Sequence, residues 1–310
     1  MTIDVSDSIF ILNGIKKENN YFPDYIKNYL AKYKDFCRYL NVSDKIINSI
    51  DNFSKNVFIC LVEYGNGQHS SAKYFFDQAI KFVDFDFLCN SLKDNIFYRA
   101  RINKEGKLPK NEMFHIPFEK RYLVSTQRYS YPGLPCLYLS SSFELCCNEL
   151  NNWSPELNIA TLQKKSDKQI TVLDLFFFEK YDFDNLSTYE YEKFILNWPL
   201  VACCSMSYCE VQNMNFRYDY VFPQLLLEYV IDKNAESCIN GQCVEILGIR
   251  YHSVKNNLFI NENNNHTSCS NYVFPTLSNL KNGHCRILKK LFIVNEVFYL
   301  RELQLEQQTQ

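Results

Sequence analysis

The sequence predicts an α+β protein: a mixed, largely antiparallel β core with flanking helices, preceded by a helical N-terminal region. Three observations predict it. The first 90 or so residues repeat apolar side chains at helical spacing, residues 96–102 and 134–140 alternate with period two, and strand-like and helix-like patterns then follow one another to the C-terminus. Of the 310 residues, 46% are hydrophobic and 16% aromatic, with 25 Phe and 22 Tyr, ample for a packed core. The chain divides on this reading into a helical accessory region, 1–92, and a β-containing domain, 93–310.

The helical region is read from its spacing. Residues 24–40 place Tyr25, Tyr29, Leu30, Tyr33, Phe36 and Cys37 at near-helical intervals, with Asp24 after Pro23 as the expected cap. Asp44 starts a second helix carrying Ile46, Ile47, Ile50 and Phe53. After the turn Gly65-Asn66-Gly67, residues 71–87 form a third, with Tyr74, Phe75, Ile80 and Phe82 inward. No catalytic pattern occurs in this region.

Residues 96–102 (IFYRARI) read as a strand. Phe97, Arg99 and Arg101 share one face, opposite Ile96, Tyr98, Ala100 and Ile102. Two guanidiniums on one face offer forked donors suited to phosphate or carboxylate; two ordinary arginines of a solvent-facing edge strand read the same way. Residues 103–127 are a basic, loop-like stretch that either covers an anion or is simply solvated. Arg128 opens a turn through Pro132-Gly133 into a strand, 134–140, where Tyr138 shares a face with Cys136 and can stack on a planar ring or pack. Ser141-Ser142-Phe143-Glu144 has capping-box form, which makes Glu144 structural. Glu149 lies further along the same helix, on the face of Leu145 and Cys146. A carboxylate on an apolar face is costly unless paired or used, so Glu149 is the functional candidate.

Strands are expected at 158–163, 169–178 and 244–253, helices at 189–198 and 218–231 (the second interrupted by Pro223), and one or two strands at 287–303. Residues 236–243 read as a turn and the Asn-rich 256–270 as a loop. Ser253 ends its strand, where a hydroxyl can face a cleft or merely bond to water. Cys238, Cys243, His266, Cys269, His284 and Cys285 lack the tight pairs of a zinc site, so no metal is expected.

Composition excludes some functions. The net charge of −2 argues against a protein that tracks nucleic acid directly. No GxxxxGK[ST] or GxGxxG occurs among only eight glycines, so neither phosphate-binding fingerprint is present. There is no apolar run of about 18 residues and no secretory pattern, and the 13 cysteines are scattered. A cytoplasmic protein with reduced thiols and no membrane partner is expected.

Residues 96–150 (IFYRARI, then RYSYPGLPCLYLSSSFELCCNEL) and 247–253 (LGIRYHS) together resemble the RES family, named for an arginine, a glutamate and a serine. The resemblance runs over roughly residues 96–300. It departs at Tyr129-Ser130, where short members carry Trp-Asn, and at Gln127, where a Gly often precedes the arginine. It implies an ADP-ribosyltransferase-like core and catalytic roles for Arg99, Glu149 and Ser253. Arg101 competes with Arg99 for the family arginine. Arg101, Arg128 and Tyr138 would bind NAD+, which is substrate rather than resident cofactor. Family toxins consume NAD+ by phosphorolysis or by ADP-ribosylating a protein, and an antitoxin silences them. The resemblance therefore implies an enzyme that cleaves the nicotinamide–ribose bond and passes ADP-ribose to phosphate, water or a protein acceptor. The alternative is a non-catalytic NAD- or ADP-ribose-binding or protein-interaction module on the same fold.

Overall fold

The computed structural model describes residues 21–150, 154–165, 169–176, 186–207, 216–239, 246–253, 270–277 and 280–302. In chain order the helices are α1 (Phe22–Tyr39), α2 (Asp44–Gly65), α3 (His69–Ile80), the single turn α4 (Phe85–Leu88), α5 (Phe143–Glu149), α6 (Thr188–Ser205), α7 (Tyr218–Ile239) and α8 (Arg286–Leu291). The strands are β1 (Cys89–Ser91), β2 (Ile96–Ile102), β3 (Cys136–Ser140), β4 (Leu157–Lys164), β5 (Thr171–Asp174), β6 (Gly248–His252), β7 (Ser270–Pro275) and β8 (Phe292–Tyr299). Two compact units result, one drawn from 1–89 and 175–228, the other from 90–174 and 229–310. The helical unit thus recruits residues 175–228 as well as the N-terminal region, whereas the sequence reading divided the chain once, after residue 92.

In the helical unit each amphipathic stripe finds a partner. α1 buries Phe22, Ile26, Leu30, Tyr33 and Cys37, and α2 buries Ile46, Ile50, Phe53, Val57 and Cys60. Asp24 does not cap α1: the helix begins two residues earlier, with Pro23 in its first turn, where its missing N–H costs nothing. In α3 the buried side chains are Ala72, Phe76, Ala79 and Ile80, while Tyr74 is exposed, so the inward face is rotated from the one expected. α6 starts in a full capping box, Ser187 with Glu190. It continues past Trp198, with Pro199 inside it. Proline has no N–H to give the carbonyl four residues back, which here belongs to Ile195. The buried Tyr33 hydroxyl donates to that carbonyl at 3.0 Å and replaces the missing bond. α7 likewise runs through Pro223.

The second unit is built on an eight-stranded sheet in the order β1-β5-β6-β7-β3-β2-β4-β8. Among the registered pairs only β5 and β6 run parallel; β2–β3, β2–β4, β3–β7, β4–β8 and β6–β7 are antiparallel. Period-two alternation sorts the side chains into two layers. Phe97, Leu137, Leu139, Tyr272, Phe274 and Phe292 join the larger core cluster. Tyr98, Ala100, Leu157 and Ile159 pack with Phe143 and Cys147 of α5 in a smaller one. The expected basic loop, 103–127, is pinned by short 3-10 turns and by buried Met113, Phe114 and Phe118. β7 had not been expected as a strand, and residues 286–291 form helix α8 ahead of β8 rather than a strand. Among the described residues no helix is long and apolar enough to cross a membrane, and no group of three or more His, Cys, Asp or Glu side chains could hold a metal ion. Cys243, His266 and Cys269 lie outside those residues, as do the turn at Asn240-Gly241, most of the Asn-rich loop and the last eight residues.

One irregularity in the sheet positions the site. β2 and β4 pair along seven registered residues, but β2 and β3 share a single registered pair, Tyr98 with Ser140. Beyond it the two neighbours part, and side chains rather than backbone bonds connect them.

Candidate active site

Glu149 is the last residue of α5, where it is half-buried. Its Oε1 accepts from the Ser253 hydroxyl at 2.5 Å and from the Asn271 amide Nδ2 at 2.6 Å. Ser253 follows β6 and is 1% exposed; Asn271 lies in β7 and is 3% exposed. The Asn271 Oδ1 in turn accepts from the Ser140 hydroxyl at 2.7 Å. Donors from two segments distant in sequence thus meet on one carboxylate oxygen, and Ser140 backs one of them. Hydrogen bonds to an ionised carboxylate are stronger than neutral ones and fix its orientation.

The local fold explains how α5 delivers Glu149. Its cap is Ser142, whose hydroxyl accepts from the Leu145 amide, so the expected capping box on Ser141 and Glu144 does not form. Ser141 is instead captured by β7: its hydroxyl accepts from the Ser270 amide at 3.1 Å, and its own N–H donates to the Ser270 carbonyl at 2.9 Å. That pairing ends the β3–β7 ladder, and the cap of α5, Ser142, follows one residue later.

Arg99 occupies the parting between β2 and β3. One guanidinium nitrogen donates to the Tyr138 carbonyl at 2.9 Å, while its buried Nε finds no hydrogen-bond partner among the described residues. Burial, then the nearby Arg101, pushes its pKa down to about 10, which still leaves it cationic at neutral pH. The Cys146 thiol lies within electrostatic reach of both Arg99 and Glu149, and burial holds it neutral with a pKa of about 12. Arg101 is engaged elsewhere, donating to the Glu112 carbonyl. Arg128 is buried in the turn closed by Gln127 and Ser130, whose main chains exchange hydrogen bonds. The Ser130 hydroxyl bonds that of Tyr138 at 3.0 Å. Burial raises the Tyr138 phenol well above its usual range, so it stays neutral.

Of the residues singled out in the sequence, Glu149 and Ser253 are therefore in direct contact. Arg99 and Tyr138 are joined by a bond from the Arg99 side chain to the Tyr138 main-chain carbonyl, and Arg128 sits on the turn that holds Tyr138. Arg101 bonds away from this group. No family model matches the sequence, and no solved structure matches it. The chain is 31% identical over 271 aligned residues to a protein of Bacillus subtilis (strain 168) named "Putative toxin YopC". The alignment covers 81% of this chain and 58% of that relative, so the chain spans somewhat more than half the length of the curated protein it matches.

Sequence reasoning missed Asn271 and Ser140, the two residues that connect β7 and β3 to the carboxylate. The signal was present but faint. In SNYVFP, Asn271 is the one side-chain amide among mostly apolar neighbours, yet all six positions are buried, so the strand shows no inside–outside alternation.

Proposed function

We propose that this protein is an NAD+-consuming enzyme of the RES toxin type. The observation that carries the reading is the Glu149 carboxylate, gripped by Ser253 and Asn271, with the Cys146 thiol within electrostatic reach of both that carboxylate and the Arg99 cation, one of whose buried donors is unused among the described residues. Breaking the bond between nicotinamide and ribose sends both electrons to the departing neutral base and leaves positive charge on the ribose. A fixed carboxylate stabilises that charge and holds ribose hydroxyls. The spare Arg99 donor and the buried Arg128 suit the pyrophosphate, and Tyr138 offers a ring for the nicotinamide. Phosphate, water or a protein side chain then supplies the oxygen that bonds to the ribose carbon.

The name of the Bacillus relative supports a toxin role. A toxin that depletes NAD+ works in the cytoplasm and requires a silencing partner in its own cell, so an antitoxin protein belongs to the proposal. Purified chain freed of any partner should release nicotinamide from NAD+, and mass spectrometry in buffers with and without phosphate identifies the acceptor. Calorimetric binding of NAD+ with no turnover in either buffer would instead favour a non-catalytic binding module.

A further inference from the structure

We propose that Asn271 is the positioning residue of Glu149 and that the Ser140 hydroxyl locks its amide in the working orientation; this deepens the NAD+ reading and rests on it for its kinetic arm. The amide of asparagine has two chemically different ends, an oxygen that only accepts and a nitrogen that only donates. An ionised carboxylate only accepts. Facing Glu149, Asn271 must therefore present Nδ2, which it does at 2.6 Å. Its Oδ1 then points away and needs a donor, which the Ser140 hydroxyl supplies at 2.7 Å.

Backbone register makes this chain of bonds rigid. Ser140 and Asn271 are directly paired across β3 and β7, and Asn271 is paired on its other side with Tyr251 of β6. The same β6 delivers Ser253, the second donor to the same carboxylate oxygen. Three adjacent strands therefore hold a group carried by a helix terminus, the part of a helix most prone to fray. A buried asparagine in a central strand costs stability unless fully bonded. Among the described residues its side chain bonds to Glu149 and Ser140.

The test uses the full chain with four variants: Asn271→Ala, Ser140→Ala, Ser140→Thr and Glu149→Gln. Asn271→Ala should lower kcat for NAD+ consumption about 30-fold or more with KM within about threefold, since it disturbs the carboxylate and not the substrate contacts. Ser140→Ala should lower kcat about tenfold, and Ser140→Thr, which restores the hydroxyl, should recover it to within about twofold. Melting temperatures exclude simple unfolding. A second readout does not depend on NAD+: the side-chain NH2 protons of Asn271, observed in 15N-labelled protein, should exchange at least tenfold faster in both Ser140→Ala and Glu149→Gln, and at the wild-type rate in Ser140→Thr. If the wild type leaves NAD+ intact while the exchange pattern holds, the enzymatic reading fails and the positioning role stands. If NAD+ is consumed and Asn271→Ala keeps its kcat, or Ser140→Thr is as impaired as Ser140→Ala, the positioning role is overturned and the enzymatic reading stands.

Discussion

Replacing Tyr33 with phenylalanine removes one oxygen atom from the helical unit, and the consequence follows from a proline 166 positions away in the sequence. Pro199 sits inside α6 and cannot donate to the Ile195 carbonyl, which takes the Tyr33 hydroxyl instead. Tyr33 is 4% exposed, so water cannot readily replace the lost donor. Leaving a buried carbonyl unsatisfied costs about 1–3 kcal/mol. With a urea dependence of about 2 kcal/mol/M, a loss of 2 kcal/mol lowers the unfolding midpoint by about 1 M. The decisive control is the same substitution in a Pro199→Ala background, where residue 199 regains an N–H for Ile195. There the cost of Tyr33→Phe should fall to about 0.5 kcal/mol, a coupling well above the scatter expected of independent sites. Equal costs in the two backgrounds, measured by urea unfolding followed by circular dichroism, would refute the argument that the hydroxyl substitutes for the proline's missing donor.

Other outcomes follow from the sheet unit. Arg99→Lys should raise KM for NAD+ about tenfold or more, because an ammonium cannot both bond the Tyr138 carbonyl and keep a forked donor free, whereas Arg101→Lys should stay within about threefold; steady-state kinetics that reverse the two would reassign the family arginine. Gly248→Ala should destabilise by about 2 kcal/mol or more, since its new methyl would lie 2.5 Å from a Phe274 ring carbon and 2.6 Å from the Val273 carbonyl oxygen; an unchanged urea midpoint would contradict that packing. His115 and His252 are buried, and desolvation pushes both down to about 4 from an ordinary 6.5. The unfolded chain therefore binds more protons between these values, so stability is whole above pH 6.5 and falls as pH drops toward 4, by on the order of 3 kcal/mol per histidine at the limit. Urea unfolding at several pH values should show that slope, and His115→Gln should reduce it by about half, leaving the His252 share.

Much of this was legible in the sequence, and the rest was hidden for physical reasons. The strand 96–102 was readable to the residue because it alternates, and the same alternation put Tyr138 and Leu137 on opposite faces. Glu149 could be separated from Glu144 because a carboxylate on the face of buried Leu145 and Cys146 demands a partner, and the structure supplies two. The cap was off by one because Ser141 and Ser142 are chemically alike; a strand far along the chain, through Ser270, decides between them. The helix expected over 189–198 stopped short of Pro199 and Pro223 read as an interruption, yet both helices continue, and for Pro199 the compensating donor comes from another helix, where no local pattern can reveal it. The recruitment of residues 175–228 to the helical unit is likewise a tertiary fact.

The central claim, that the Glu149 site consumes NAD+, is tested most directly by following NAD+ and nicotinamide by proton NMR with purified, partner-free protein in phosphate buffer. The account predicts steady nicotinamide release by the wild type and a rate at least about 100-fold lower for Glu149→Gln, with the melting temperature little changed. NAD+ that stays intact with the wild type, or is consumed equally by both proteins, would contradict it.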